Sequence, residues 1–118
     1  MKLYGIANCN TVKKARTWLE QHCAEYQFHD FKKLGLEAEL AQSWLQQIGW
    51  ESLINRNSLT WRGLSAEQKQ IIKDNTSALP LLLEKTSVIK RPLLEHDGKL
   101  LLIGFDDARY EKFFNFKS

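Results

Sequence analysis

The chain has 118 residues, of which 43% are hydrophobic and 26% charged, with 17 Lys and Arg against 14 Asp and Glu for a net charge of +3. These values describe one globular domain and exclude a disordered chain, a collagen-like repeat and a disulfide scaffold. The charge is too small and too scattered for a dedicated nucleic-acid binder, no apolar run approaches the roughly 18 residues of a membrane span, and the first residues carry no signal-peptide pattern, so a cytoplasmic monomer that binds neither nucleic acid nor membrane is expected.

In chain order, Lys2–Ile6 reads as a strand, and the loop Ala7-Asn8-Cys9-Asn10 leads to a helix capped by Thr11 and running to about His22. Val12, Ala15, Leu19 and His22 or Cys23 recur at helical spacing and are expected to face a core. Tyr26–Phe31 alternates as a second strand, completing a parallel βαβ unit. Leu36–Ile48 reads as a helix stopped by Gly49, Trp50–Ile54 as a further turn, and Asn55–Gly63 as a loop. Ser65-Ala66-Glu67-Gln68 is a capping-box pattern with a helix to about Lys73. Ser77 caps another helix, with Pro80 expected in its first turn, where proline is tolerated. Lys90-Arg91-Pro92 breaks the chain, and Leu93–His96 and Lys99–Gly104 flank Asp97-Gly98, the type I′ hairpin pair. A last helix runs from near Asp106 to Phe114. The order resembles an α/β thioredoxin-like core, βαβ then ββα on a mixed four-stranded sheet. One domain spans 1–118, its core about 1–33 and 88–118 and its helical insertion about 34–87.

Cys9 carries the chemistry. It stands at the strand–helix junction, where free N–H groups and the helix dipole favour a thiolate, and Lys13 and Lys14 add charge in the next turn. Such sites lower a thiol pKa from ~8.5 into a range of ~3.5–7.5. A small packing residue is the other reading open at that position. Cys23 lies fourteen residues on, about 21 Å along the same helix, whereas a disulfide needs Cα atoms within about 7 Å. It therefore reads as a packing residue, and any thiol that resolves Cys9 comes from outside the chain. Cys9-Asn10-Thr11-Val12 is not a CxxC pair, and a phosphatase-type loop fails because position 15 is Ala15 and Arg16 falls one residue late. Two Cys and three His without close spacing predict no metal site.

Other candidates are weaker. Pro92 on spacing alone reads as a trans proline opening a strand beside an exposed Arg91. In cis it would abut the thiol and bring Arg91 there. Arg56 and Arg62 lie in a loop, where they bind a carboxylate or oxyanion or are simply solvated. Trp61 in that loop is a candidate cleft residue. His22, His29 and His96 follow no triad logic, and Asp106-Asp107 caps the last helix.

Tyr4-Gly5-Ile6-x-Asn8-Cys9-x-Thr11-Val12-Lys13-Lys14-Ala15, then Asn55-Arg56, then Ile89-Lys90-Arg91-Pro92-Leu93, resemble the arsenate reductase-like (ArsC) family, in its YffB-like branch. The resemblance covers nearly the whole chain. It implies a helical domain over the cysteine, Pro92 in cis, Cys9 as nucleophile, the Thr11 hydroxyl beside it, and Arg91 as the oxyanion-binding arginine. Asn8, Lys13 and Arg56 join Arg91, Pro92 and Thr11 as candidate substrate- or glutathione-binding residues. The family's second oxyanion arginine falls near Asn55, its third falls near Ile103, and the His-Asn-Pro lead-in of arsenate reductases is Gly5-Ile6-Ala7 followed by Asn8 here. The implied function is a monothiol, glutathione-dependent thiol–disulfide reductase with no bound cofactor, glutathione as reducing co-substrate, and a glutaredoxin or another thiol protein as partner. The alternatives are arsenate reduction through the same cysteine and a non-catalytic Spx-like regulator that docks on a protein such as RNA polymerase. The missing CxxC weighs against the Spx redox switch.

Overall fold

The structure, a computed structural model, describes residues 1–115. In chain order the elements are β1 (Lys2–Gly5), α1 (Asn10–Gln21), β2 (Gln27–Asp30), α2 (Phe31–Leu34), α3 (Ala38–Ile48), α4 (Trp50–Leu53), α5 (Leu59–Arg62), α6 (Ala66–Ile71), α7 (Asn75–Glu84), a 3-10 turn (Thr86–Val88), β3 (Leu93–His96), β4 (Lys99–Ile103) and α8 (Asp107–Asn115). They fall into two compact units, Met1–Asp30 with the described residues from Arg91 on, and Phe31–Lys90.

The first unit is a mixed four-stranded sheet in the order β2-β1-β3-β4. β1 pairs parallel with β2 and antiparallel with β3, and β3 pairs antiparallel with β4. Asp97 (φ 51°) and Gly98 (φ 80°) both take the positive φ that a type I′ turn requires, as the hairpin reading expects. Leu3 lies opposite Leu94, and both side chains enter one core with Ala15, Trp18 and Leu19 of α1 and Tyr110 of α8. The inward stripe of α1 is Val12, Ala15, Trp18 and Leu19. His22 and Cys23, read as inward, are exposed instead. α1 ends at Gln21, so His22 lies past the last turn, its ring stacked on Trp18 at 3.7 Å, and Cys23 turns into the left-handed region at φ 55°. The Tyr110 hydroxyl is buried with no hydrogen-bond partner among the described residues, and burial pushes its phenol well up.

Strand direction sets where the helices begin. Two antiparallel steps separate β1 from β4, so both strands run the same way and end at the same edge of the sheet. α1 and α8 follow those ends. The Trp18 indole Nε1 donates to Asp107 Oδ1 at 2.8 Å, pinning the start of α8 to α1.

The second unit is helical. Within it α3 packs on α7, Phe31 meets Trp44 edge-on at 6.1 Å, and Ile54 bridges Ile89 antiparallel. Three readings need correction here. Asn55–Gly63 is not a continuous loop, because the Ser58 hydroxyl accepts from the Trp61 N–H and caps α5. Asp74, not Ser77, is the N-cap of α7, and Ser77 occupies the third helical position of a reciprocal capping box. Pro80 consequently lies inside the helix, past its first turn. The capping box at Ser65 and Gln68 is present as read.

Candidate functional site

Cys9 is the N-cap of α1, with extended backbone at φ −141° and ψ 122°. Thr11, read as the cap, is the second helical residue, and Val12 the third. At an ordinary helix start a Ser, Thr, Asp or Asn oxygen accepts from these two N–H groups. Here a sulfur stands in that place. Partial burial alone would push the Cys9 thiol up. The Val12 N–H, the Arg91 guanidinium through a hydrogen bond and its charge, and the Thr11 N–H together outweigh burial and hold the thiol below its ordinary value. Each of these three favours the charged form specifically, which makes the sulfur a better nucleophile near neutral pH.

Several elements converge to make this arrangement. β1 delivers the loop, and Gly5 at its end lets α1 approach closely, since a Cβ there would sit 2.8 Å from Val12 Cγ2. The Arg91–Pro92 peptide bond is cis, which corrects the trans reading drawn from spacing. Arg91 is half-buried rather than exposed, and Pro92 is buried with its carbonyl accepting from the Gly104 N–H at 2.8 Å. Lys13 donates its backbone N–H to the Cys9 carbonyl at 2.9 Å while its side chain stays exposed, and Asn8 is exposed in the loop before the sulfur. Val12 contributes through its backbone N–H, which no side-chain motif could announce. Only placing Cys9 rather than Thr11 at the N-cap reveals it.

Arg56 belongs to the second unit. Its guanidinium lies 3.3 Å from Glu51 Oε2 and over the Trp50 ring at 5.1 Å. With Asn55, Asn57 and Lys90 it borders a shallow cavity of about 320 Å³. Arg62 is exposed at the end of α5, and Trp61 is buried. Cys9 and Cys23 are both free thiols at opposite ends of the 12-residue α1. At 1.5 Å per residue they are roughly 20 Å apart, far beyond disulfide reach. Among the described residues, no His, Cys, Asp or Glu group could hold a metal ion, and no helix is long and apolar enough to cross a membrane.

Residues 4–113 match the ArsC family. An uncharacterized protein of Haemophilus influenzae is 43% identical over 112 residues, 95% of this chain and 96% of that one. A solved YffB protein is 42% identical with a TM-score of 0.86, over 94% of this chain and 96% of its own. A solved arsenate reductase (ArsC) related protein from Brucella melitensis is 47% identical with a TM-score of 0.78, over 98% and 94%. Among more distant relatives, the global transcriptional regulator Spx 2 of Bacillus anthracis is 26% identical over 94% of this chain and 84% of its own.

Proposed function

The chain belongs to the ArsC family, and from that premise we propose that it is a thiol–disulfide reductase working through Cys9 alone, with glutathione as the external reductant. The observation that carries this reading is the convergence of two helix-start N–H groups and the Arg91 guanidinium on one sulfur. The Cys9 thiolate attacks one sulfur of a substrate disulfide. A Cys9–substrate disulfide forms, and the other half leaves as a thiolate that takes a proton from water. A glutathione thiolate then attacks the mixed disulfide, releasing Cys9 and carrying off the bound half as a glutathione disulfide. Cys23 cannot perform this second step from the far end of α1. Arg91 serves both as counter-charge to the sulfur and as the natural partner for a substrate carboxylate.

An arsenate reductase reading shares the cysteine and differs in demand. A compact oxyanion needs several cationic donors around the sulfur, and one lost donor of that kind typically costs ~10²–10³ in rate. In the first unit Arg91 is the arginine set beside Cys9, and Ile103 stands where the resemblance expects another. A disulfide asks for less, so glutathione mixed disulfides are the favoured substrates and arsenate turnover is expected to be weak. The Spx-like relatives support a second reading, a protein that docks on a partner without turnover.

Exposure to oxidised glutathione followed by intact-mass measurement tests the monothiol reading. One glutathione per chain, located on Cys9 and abolished by Cys9→Ser, is expected. An unmodified protein, or an internal Cys9–Cys23 disulfide, would contradict the monothiol reading.

A further inference from the structure

Two hydrogen bonds tie the end of β4 to the residue beside Arg91. The Gly104 N–H donates to the Pro92 carbonyl at 2.8 Å, and Arg109 Nη2 donates to the Ile103 carbonyl at 2.9 Å. Leu93 stands opposite Ile103, so Pro92 and Gly104 form the next pair of the β3–β4 ladder. In an antiparallel ladder such a bonded pair exchanges two hydrogen bonds. Proline has no N–H, so this pair has one. Bonded and non-bonded pairs alternate, so Leu93 and Ile103 are of the non-bonded kind and their carbonyls point away from each other's strand. β4 is the outermost strand, and the Ile103 carbonyl therefore faces the open edge of the sheet, where it meets Arg109.

The start of α8 holds Arg109 at that point. Asp106 Oδ1 accepts from the Ala108 N–H at 2.8 Å and from the Arg109 N–H at 3.3 Å, while its Oδ2 lies 4.0 Å from Arg109 Nε. Gly104 has φ 74°, and a Cβ there would stand 3.5 Å from Arg109 Nη2. The guanidinium thus lies over the glycine that holds Pro92. Arg91 immediately precedes Pro92, and its guanidinium hydrogen-bonds the Cys9 sulfur. The groups that lower the thiol directly are the Val12 and Thr11 N–H groups and Arg91. Lys13 and Lys14 on α1 and Asp106 and Asp107 at the start of α8 are the other charged groups beside these two helix starts. A strand end tied by one hydrogen bond opens readily, and a charge-assisted bond on the adjoining residue opposes that opening.

We propose that Arg109 is a positioning residue: it clamps the end of β4 so that Gly104 holds Pro92, and Pro92 holds the Arg91 guanidinium against the Cys9 sulfur. The inference rests on the thiol–disulfide reading above and adds a residue to its machinery. Arg109 acts through Arg91 and takes no part in the exchange of bonds.

The test is the pH midpoint of Cys9 alkylation by iodoacetamide, measured in the Cys23→Ser protein and in the same protein carrying Arg109→Ala, Arg109→Lys, Arg91→Ala, or Arg91→Ala with Arg109→Ala. Arg109 is exposed, so these changes leave the core intact. Arg109→Ala is expected to raise the midpoint by about 0.5 pH unit, the scale of one net hydrogen bond. Arg109→Lys, which keeps a charged donor, should recover part of that rise. In the Arg91→Ala protein, Arg109→Ala should move the midpoint no further, because the clamp then has nothing to hold. Equal shifts with and without Arg91 would mean that the Arg109 charge acts on the sulfur by itself, and would overturn the proposal. A midpoint unmoved by Arg109→Ala would overturn it as well, whatever urea unfolding shows for stability. Either result leaves the reductase reading intact. A midpoint at or above ~8.5 with both arginines in place would remove the activated sulfur and the clamp with it.

Discussion

Burial and hydrogen bonding pull the Cys9 thiol in opposite directions, and hydrogen bonding with the Arg91 charge wins. Because folding holds the thiol below its unfolded value, the thiolate contributes stability that is fully present above the unfolded pKa of ~8.5 and is lost as pH falls through the folded one. Arg91 supplies only part of the effect, the Val12 and Thr11 N–H groups the rest. Arg91→Ala is therefore expected to slow reduction of a glutathione mixed disulfide by about ten-fold, the scale of one charge-assisted contact, while Cys9 remains alkylatable. Steady-state turnover and iodoacetamide labelling measure the two separately, and a variant whose Cys9 no longer labels would show that Arg91 does more than assist. The place of Cys9 was legible in the sequence, because a strand pattern ends just before it and the amphipathic run of α1 begins just after. Arg91 was legible only through the resemblance, since nothing in its spacing says that the following proline is cis. Thr11 was misread as the cap because a hydroxyl is the usual acceptor there, and sulfur is not.

α1 depends on how closely it can lie against β1. Gly5 is buried, and an added Cβ would come within 2.8 Å of Val12 Cγ2, too close without movement of the helix start. Gly5→Ala is expected to cost about 1–3 kcal/mol, the range for overpacking a filled core, and to raise the pH midpoint of Cys9 labelling, because Val12 carries both the clashing methyl and a sulfur-facing N–H. Urea unfolding and the labelling profile check both. Unchanged stability would mean that α1 shifts freely, and unchanged labelling that its N–H groups follow. The elements themselves show which local signals carry weight. Period and turn chemistry located β1, the Asp97-Gly98 hairpin and the Ser65 capping box, where one strong local preference acts. α5 escaped because a four-residue helix has no period to read, although Ser58 three residues before Trp61 was a cap signal in plain view. Asp74 and Ser77 are reciprocal partners, so either could be taken for the cap, and choosing Ser77 moved Pro80 into the wrong turn.

The whole molecule joins a sheet unit carrying the cysteine to a helical unit carrying Arg56. The alternation of periods along the chain made the sheet topology legible, since βαβ followed by a hairpin and a helix admits few right-handed arrangements. The side-chain environment of Arg56 was not legible, because its partners Glu51 and Trp50 are close in sequence without any motif that marks them. What the topology achieves is to gather a helix start, a buried proline and a half-buried arginine at the edge of the sheet where Cys9 sits. This gathering is what activates the sulfur. The activation is tested most directly by the rate of Cys9 alkylation with iodoacetamide against pH in the Cys23→Ser protein. A midpoint clearly below the free-thiol value of ~8.5 is expected, and a midpoint at or above that value would contradict an activated sulfur.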